Sequence, residues 1–212
     1  MKLVDYTVKD FIEQVDSSMP TPGGGSVAGV ASTLGIGLSR MVGHLTTGKK
    51  KFKALDDDVK QEYHRILDRF VVIKETMLTL IDEDTLAFEK VMDAFKLPKE
   101  TDEEKVIRKE AIEDATYGAI EVPYRVASLS LQALGDLEYL LDYGNRNAVS
   151  DIGVAALMLY GGLEGALLNV LINVGSLSNE EIQTRYQKEA EQFSIEGEQL
   201  KNKVLKKVRG LL

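Results

Sequence analysis

Apolar residues recur along this chain with the spacing of α-helices, and few stretches alternate between apolar and polar side chains as strands do. The pattern predicts an all-α fold, a helical bundle of about six helices that includes long, kinked and buried apolar members. No stretch has the composition of a linker between domains, so residues 1–212 are expected to form a single domain. The predicted helices span residues 5–17, 24–47, 55–95, 101–142, 148–174 and 178–210.

Three features mark helix starts or interruptions. Thr101 with Glu104 and Ser178 with Glu181 have the spacing of capping boxes, in which each side chain satisfies a free amide of the first turn. Pro123 lies inside the fourth predicted helix, where it removes one backbone hydrogen bond. It therefore predicts a kink or a split in that helix.

The predicted helices 24–47 and 148–174 are unusually apolar. The second is apolar enough for a membrane span, but Glu164 and two asparagines interrupt it, which favours a buried core helix. Each helix carries two glycines four residues apart, a spacing that permits close helix crossings: Gly25 with Gly29, and Gly161 with Gly165. The apolar surface exceeds what the other helices can cover, so a homodimer or a dimer-based oligomer is expected.

Composition narrows the classes of function. The net charge of −8 argues against a nucleic-acid partner, because phosphate neutralisation needs a basic face. The chain has no cysteine and two histidines, so disulfides and thiolate metal sites are excluded and no metal is expected. The first apolar run breaks at once, without a signal-peptide pattern, so a cytoplasmic location is expected.

A glycine-rich turn is the first candidate binding site. It lies directly before a predicted helix and consists of Gly23, Gly24, Gly25 and Ser26. Free N–H groups at a helix N-terminus bind anions, although a turn that only packs helices would use the same glycines. The helix that follows ends in a second candidate anion site, formed by Lys49, Lys50 and Lys51.

The third predicted helix contains one acid on an otherwise apolar seam. Its heptad core positions are apolar from Tyr63 to Ala94 except at Asp84. Asp84 is therefore expected to be buried, which raises the pKa of a carboxyl group and suits it to general acid catalysis. A buried Asp with a purely structural hydrogen bond or ion pair is the alternative interpretation.

A second polar cluster lies at the start of the fifth predicted helix. Asn145, Asn147 and Asp151 together offer amide donors, carbonyl acceptors and a negative charge, as a site for a heterocycle would, although helix capping alone also explains them. Asn169 and Asn173 share nearly the same helix face as Asp151. They lie about 27 Å or more along the axis from it, so one chain cannot join them to Asp151, and helix-packing hydrogen bonds are expected.

Together these segments resemble the cyclodeaminase/cyclohydrolase family over nearly the whole chain. The resemblance is to the cyclodeaminase half of formiminotransferase-cyclodeaminase and to the stand-alone methenyltetrahydrofolate cyclohydrolases of bacteria. The segments that carry it are residues 21–26, 41–42, 46–51, 84–88, 91–92, 97–99, 122–123, 144–147, 150–151, 154–156 and 169–173.

The resemblance implies an all-helical dimer that acts on tetrahydrofolate. The implied reaction closes 5-formimino-tetrahydrofolate to 5,10-methenyl-tetrahydrofolate with release of ammonia. The sister reaction adds water to the methenyl bridge, and the choice between the two stays open. A helical dimer that binds folate or another anion without turnover is the third alternative, although a lone acid on a core seam favours catalysis.

The resemblance also implies roles for the candidate residues. The family's acid falls on Asp84, which would protonate the departing nitrogen, while Lys50 stabilises charge or holds substrate carboxylates. The other substrate-binding candidates are Gly23, Gly24, Gly25, Ser26, Lys49, Asn145, Asn147, Asp151 and Asn173. An antiparallel crossing of two copies would bring Asn173 of one chain toward Asp151 of the other.

The expected ligand is a polyglutamylated tetrahydrofolate substrate, with no membrane partner. No redox cofactor is expected, because the transferred carbon does not change oxidation state. The chain shows no formiminotransferase segment, so a separate formiminotransferase is the expected protein partner.

Overall fold

The structure, a computed structural model that describes residues 2–212, is built of α-helices joined by short turns. Residues 2–212 contain seven α-helices, two 3₁₀ turns and no strand, which confirms the predicted all-α fold. In chain order the helices are α1 Val8–Val15, α2 Gly24–Thr47, α3 Lys50–Lys53, α4 Asp57–Phe95, α5 Asp102–Tyr143, α6 Val149–Val174 and α7 Glu180–Arg209, with 3₁₀ turns at Leu3–Asp5 and Arg146–Ala148.

Side-chain caps explain where the predicted and observed helix starts agree or differ. The capping box of Thr101 and Glu104 is confirmed, with both reciprocal hydrogen bonds present. The one predicted at Ser178 is wrong, because the side chain of Asn179 accepts the free amides of the first turn of α7 instead. The first predicted helix is divided, since Thr7 caps α1 and separates it from the turn at Leu3–Asp5. The short helix α3 was not predicted.

Pro123 does not split its helix, so that part of the prediction is wrong. α5 runs without interruption from Asp102 to Tyr143. A proline at this position leaves the carbonyl of Ala119 without its usual helical donor. Asn173 of α6 takes that donor's place, because its Nδ2 donates to Ala119 O at 2.9 Å. The helix-packing hydrogen bond expected of Asn173 therefore repairs the backbone of a neighbouring helix.

α6 is the central helix of the bundle and packs against α2, α5 and α7. By length and composition the segment Arg146–Val174 passes as a membrane span. Its inward face is fully buried within the bundle, as predicted for a core helix.

α2 fills the space between α4 and α6, and small residues let it approach both closely. A Cβ added to Gly162 would lie 1.9 Å from Ser32 Oγ, and one added to Gly29 would lie 2.9 Å from Ile81. Gly165 also packs tightly, against Ala28, but Gly161 faces open space. Three of the four predicted glycines, Gly25, Gly29 and Gly165, therefore lie at close contacts between helices, as expected. Gly161 does not, and Gly162 takes its place.

α2 and α6 each present an apolar outer face that no described residue covers. The exposed side chains on α2 are Val27, Leu34, Met41 and Leu45, and those on α6 are Val154, Leu157, Leu168, Leu171 and Ile172. Most soluble monomers do not expose a continuous apolar surface of this extent, which is typical of an interface.

Candidate functional site

The N-terminus of α2 lies directly against the carboxyl group of Asp84. Gly23 is the N-cap of α2, and Gly25 and Ser26 occupy its first turn. Ser26 Oγ donates to Asp84 Oδ2 at 2.9 Å, and a Cβ added to Gly25 would lie 2.0 Å from Asp84 Oδ1. Only glycine at position 25 permits this contact, so the predicted glycine-rich turn and the predicted acid form one site.

Asp84 is half-buried rather than buried, which corrects the expectation from the heptad pattern. The apolar seam of α4 continues on both sides of it, and α2 begins at this level, so Asp84 keeps part of its surface exposed to solvent. A reactant can therefore reach Asp84 directly.

Burial raises the pKa of the Asp84 carboxyl above its ordinary value, while hydrogen bonds from the hydroxyl and the backbone of Ser26 act in the opposite direction. The positive end of the α2 dipole also favours the ionised form. Ser26 is fully buried, so its hydroxyl is fixed between Asp84 Oδ2 and the carbonyl of Ile81. On balance the pKa of Asp84 is raised, so its carboxyl group keeps its proton to a higher pH than that of an exposed Asp.

α6 contributes Asn169 to the same end of the molecule. A Cβ added to Gly24 would lie 3.2 Å from Asn169 Nδ2, which itself donates to the carbonyl of Gly165 at 2.8 Å. This bond stays within α6, so the helix-packing hydrogen bond expected of Asn169 is wrong. The sequence also did not predict the position of Asn169 beside the glycine-rich turn. Asn173 lies one helical turn further on, held by its bond to Ala119. The sequence signal that could have drawn attention to this position is the pair of asparagines four residues apart in an otherwise apolar helix.

The other predicted site residues lie at the opposite end of α2. The backbone N–H of Asn145 donates to Thr46 Oγ1 at 2.9 Å, and Asn145 Nδ2 donates to Leu45 O at 3.3 Å. Asn145 Oδ1 accepts from the backbone N–H of Asn147, so Asn145 caps the turn that leads into α6. Asp151 follows in the first turn of α6 and is half-buried.

Lys49 and Lys50 belong to this second end, because the backbone N–H of Lys49 donates to Thr46 O. Both lysine side chains are exposed and form no ion pair with any residue from 2 to 212. They stand at the negative end of the α2 dipole, where cations are favoured. The cluster is therefore a free positive surface.

The 24 residues of α2 separate the two groups of residues by about 36 Å, at about 1.5 Å per residue. We call them the acid end, with Asp84 and the glycine-rich turn, and the lysine end, with Lys50 and Asn145. Lys50 and Asp84 of the same chain are therefore too far apart to act on one reacting carbon. The structure brings Gly23, Gly24, Gly25, Ser26, Asp84 and Asn173 to one end, and Lys49, Lys50, Asn145, Asn147 and Asp151 to the other.

Beyond the start of α2, the face of α4 that carries Asp84 is only partly covered. Phe88, Val91 and Phe95 lie on that face at helical spacing, and Phe88 and Phe95 are 37% and 49% exposed. These side chains form a partly exposed apolar strip along α4 that begins next to Asp84. The largest cavity described, about 690 Å³, lies on the opposite face of α4 and does not include Asp84.

The chain is similar in sequence to known proteins over most of its length. Residues 7–192 match the family described as Formiminotransferase-cyclodeaminase. A methenyltetrahydrofolate cyclohydrolase of Methylorubrum extorquens is 36% identical over 203 residues, which cover 96% of each chain. The formimidoyltransferase-cyclodeaminase of Mus musculus is 35% identical over 178 residues, 84% of this chain but 32% of the mouse protein.

A solved structure agrees with the fold. The crystal structure of a formiminotetrahydrofolate cyclodeaminase from Thermotoga maritima superposes with a TM-score of 0.84 at 29% identity, covering 98% of both chains. The similarity therefore extends over both ends of α2 and over the whole of α4.

Proposed function

The chain belongs to the formiminotransferase-cyclodeaminase family, and we propose that it cyclises 5-formimino-tetrahydrofolate to 5,10-methenyl-tetrahydrofolate with release of ammonia. The relatives named above are enzymes of folate one-carbon chemistry. The observation that carries the proposal is the contact of Asp84 with Gly25 and Ser26 at the start of α2.

The proposed reaction needs a proton at one nitrogen. N10 of the substrate attacks the formimino carbon, and a tetrahedral centre forms that carries N5, N10 and the former imino nitrogen. That nitrogen leaves as ammonia only after protonation, while N10 gives up its own proton. A protonated Asp84 supplies the proton, and general acid catalysis of this kind contributes about 10²- to 10⁴-fold.

The surroundings of Asp84 fit this role. Burial favours its neutral form, and the fixed Ser26 hydroxyl stabilises the carboxylate left after proton transfer. Asp84 is partly exposed, so a substrate lying along the apolar strip of α4 can reach it. A protein that only bound folate would gain nothing from this half-buried acid, because an unpaired carboxylate in such a place costs stability.

Hydrolysis of 5,10-methenyl-tetrahydrofolate is the second candidate, favoured by the relative from Methylorubrum extorquens that matches this chain over nearly its full length. Water then adds to the methenyl carbon, and Asp84 takes part in the proton transfer. Both reactions involve the same carbon, so the acid end serves either.

We further infer that two copies of the chain complete the site. An antiparallel pairing through the apolar outer faces of α2 and α6 covers their exposed side chains. It also places the lysine end of one chain beside the acid end of the other, since the two ends lie at opposite ends of these helices. The partner's Lys49 and Lys50 then meet substrate carboxylates, and its Asn145, Asn147 and Asp151 orient the pterin.

Other features of the proposal concern the setting of the reaction. The substrate is a tetrahydrofolate derivative, the location is cytoplasmic, and a separate formiminotransferase supplies the formimino compound. No redox cofactor takes part, because the carbon keeps its oxidation state throughout.

The direct test is turnover of the purified protein on two substrates. Incubation with 5-formimino-tetrahydrofolate should produce the methenyl absorbance with release of ammonia, whereas incubation with 5,10-methenyl-tetrahydrofolate should remove that absorbance if hydrolysis is the activity. Activity on neither compound would overturn the proposal. Sedimentation at micromolar concentration should show dimers or larger species, and a fully active monomer would overturn the shared site.

A further inference from the structure

The side-chain hydroxyl of Thr85, the residue after Asp84 on α4, is buried without a hydrogen-bond partner among residues 2–212. The other two threonines of α4, Thr76 and Thr79, each donate to the backbone carbonyl four residues earlier, at 2.9 and 3.3 Å. Threonine commonly makes this bond inside a helix, because its Oγ1 reaches the preceding turn. A buried hydroxyl that lacks it costs free energy, so the exception at Thr85 has a structural cause.

The cause is that Ser26 of α2 already uses the carbonyl four residues before Thr85. Ser26 Oγ donates to Ile81 O at 3.2 Å, and it also lies 2.9 Å from Asp84 Oδ2. The other lone pair of Ile81 O serves the helical N–H of Thr85. A serine hydroxyl carries one proton, so Ser26 donates to only one of its two neighbouring oxygens at a time.

The proton of Asp84 decides which oxygen Ser26 uses. When Asp84 is protonated, its carboxyl group donates to Ser26 Oγ and Ser26 donates onward to Ile81 O, which leaves Thr85 without an acceptor. When Asp84 is ionised, its carboxylate only accepts, so Ser26 turns its proton to Asp84 Oδ2. Ile81 O is then open to the hydroxyl of Thr85.

We propose that Thr85 is a positioning residue for the acid, whose hydroxyl takes over the Ile81 carbonyl when Ser26 turns to the ionised Asp84. During turnover the O–H bond of Asp84 breaks and an N–H bond forms on the departing nitrogen, while Ser26 and Thr85 only rotate their hydroxyl protons. Thr85 gains its partner in the ionised state alone, so it favours release of the proton. The effect on turnover rests on the proposed function, whereas the exchange of hydrogen bonds does not require a folate.

Charged groups on the elements around Asp84 take no part in this exchange. None of them is hydrogen-bonded to Ser26 or to Thr85. The variants described below leave all of them in place, so a change in the titration of Asp84 reports on the hydroxyl groups. Along each surrounding element they are Asp82 and Glu83 on α4, Glu121 and Arg125 on α5, Glu164 on α6, and Lys2 and Asp5 before α1, with none on α2 before Arg40.

The test follows the titration of the Asp84 carboxyl carbon by carbon-13 NMR, which needs no turnover. Thr85→Val keeps the shape of the side chain without the hydroxyl, so the titration midpoint should move upward by about 0.5 to 1 pH unit, the equivalent of one hydrogen bond. Thr85→Ser keeps the hydroxyl and should restore the wild-type midpoint. The pH above which kcat declines should move with the midpoint, and KM should stay the same.

A second serine variant identifies the partner through which Thr85 acts. In Ser26→Ala the carbonyl of Ile81 is open to Thr85 whatever the state of Asp84, so adding Thr85→Val should cause no further shift. The matched control is Thr76→Val, which loses its bond to Val72 O on the same helix and should leave the midpoint unchanged.

The outcomes separate this inference from the proposed function. An unchanged midpoint in Thr85→Val, or the same shift in Thr76→Val, would overturn the role of Thr85. A shift that persists in the Ser26→Ala background would also overturn it, because Thr85 would then act through a partner other than Ile81 O. If the midpoints behave as expected but neither folate compound is turned over, the exchange of hydrogen bonds stands and the proposed reaction fails.

Discussion

The two ends of α2 carry the predicted site residues in very different settings. At the acid end Ser26 is fully buried and Gly25 leaves no room for a methyl group beside Asp84. At the lysine end the side chains of Lys49 and Lys50 are exposed, whereas the side chain of Asn145 donates to Leu45 O and accepts from the backbone N–H of Asn147. The acid end is therefore organised within one chain, whereas the lysine end offers free charge that a second chain can use.

The largest expected effect is at the acid end. Asp84→Asn keeps the shape of the side chain and its hydrogen bond from Ser26 but removes the acid, so kcat should fall about 10²- to 10⁴-fold. The methenyl absorbance assay measures the loss, and binding of folate should persist. A variant with nearly wild-type kcat would show that Asp84 does not donate the proton.

The same substitution should make the fold more stable at neutral pH. The pKa of Asp84 is higher in the folded than in the unfolded chain, so the folded state binds more protons in the pH range between the two values. Stability is therefore lost as pH rises through that range, and Asn removes this loss. Urea unfolding at pH 7 and at acidic pH should show an advantage for Asp84→Asn at pH 7 that disappears in acid.

Gly25 and Gly37 form a matched pair on α2 that tests the close contact. Gly25→Ala pushes a methyl group onto Asp84 Oδ1, and a displacement of the acid by about 1 Å can cost about 10²-fold in kcat. Gly37 has open space around its Cβ position, so Gly37→Ala should keep full activity and raise the free energy of unfolding by about 0.5 to 1 kcal/mol. Equal activity in the two variants would contradict the geometry assigned to Asp84.

At the lysine end the expected effect is smaller. Lys50→Met should raise KM about tenfold if Lys50 makes a charge-assisted hydrogen bond with a substrate carboxylate. Lys51→Met, on the same short helix, is the control. Small and equal losses at Lys49, Lys50 and Lys51 in a salt-dependent binding titration would identify the cluster as solvated surface.

The smallest expected effect concerns Ser26. Ser26→Ala removes a hydrogen bond that favours the ionised form of Asp84, so the pH above which kcat declines should move upward. Ser39→Ala is the control, since Ser39 is equally buried in α2 but bonds only to Gly35 O. A similar shift in both variants would assign the effect to general loosening of α2.

The sequence predicted the helices well because their signals are local. Thr101, Gly24 and the apolar spacing of α4 each act within a few residues. The site was predicted in pieces, since Asp84 and the glycine-rich turn were each recognised from their own segments. Their contact depends on the register between α2 and α4, which no local pattern encodes.

The same limit explains what the sequence missed. Whether Asn145 and Lys50 lie near Asp84 depends on the direction of α2 in the bundle, and the structure places them at its far end. The hydrogen bond of Asn173 that repairs the gap at Pro123 is made to Ala119, 54 positions away, and the half-exposure of Asp84 is set by the packing of α2 against α4. Each is a property of packed helices rather than of one segment.

Mixing two impaired variants, one altered at each end of α2, tests most directly whether the two ends form one site between two chains. Asp84→Asn and the double variant Lys49→Met with Lys50→Met are refolded together at equal amounts and assayed at substrate well below KM. In a two-fold symmetric dimer each mixed pair contains one intact site, so activity should recover to about a quarter of the wild-type value. Activity no greater than the average of the two separate variants would contradict the shared site.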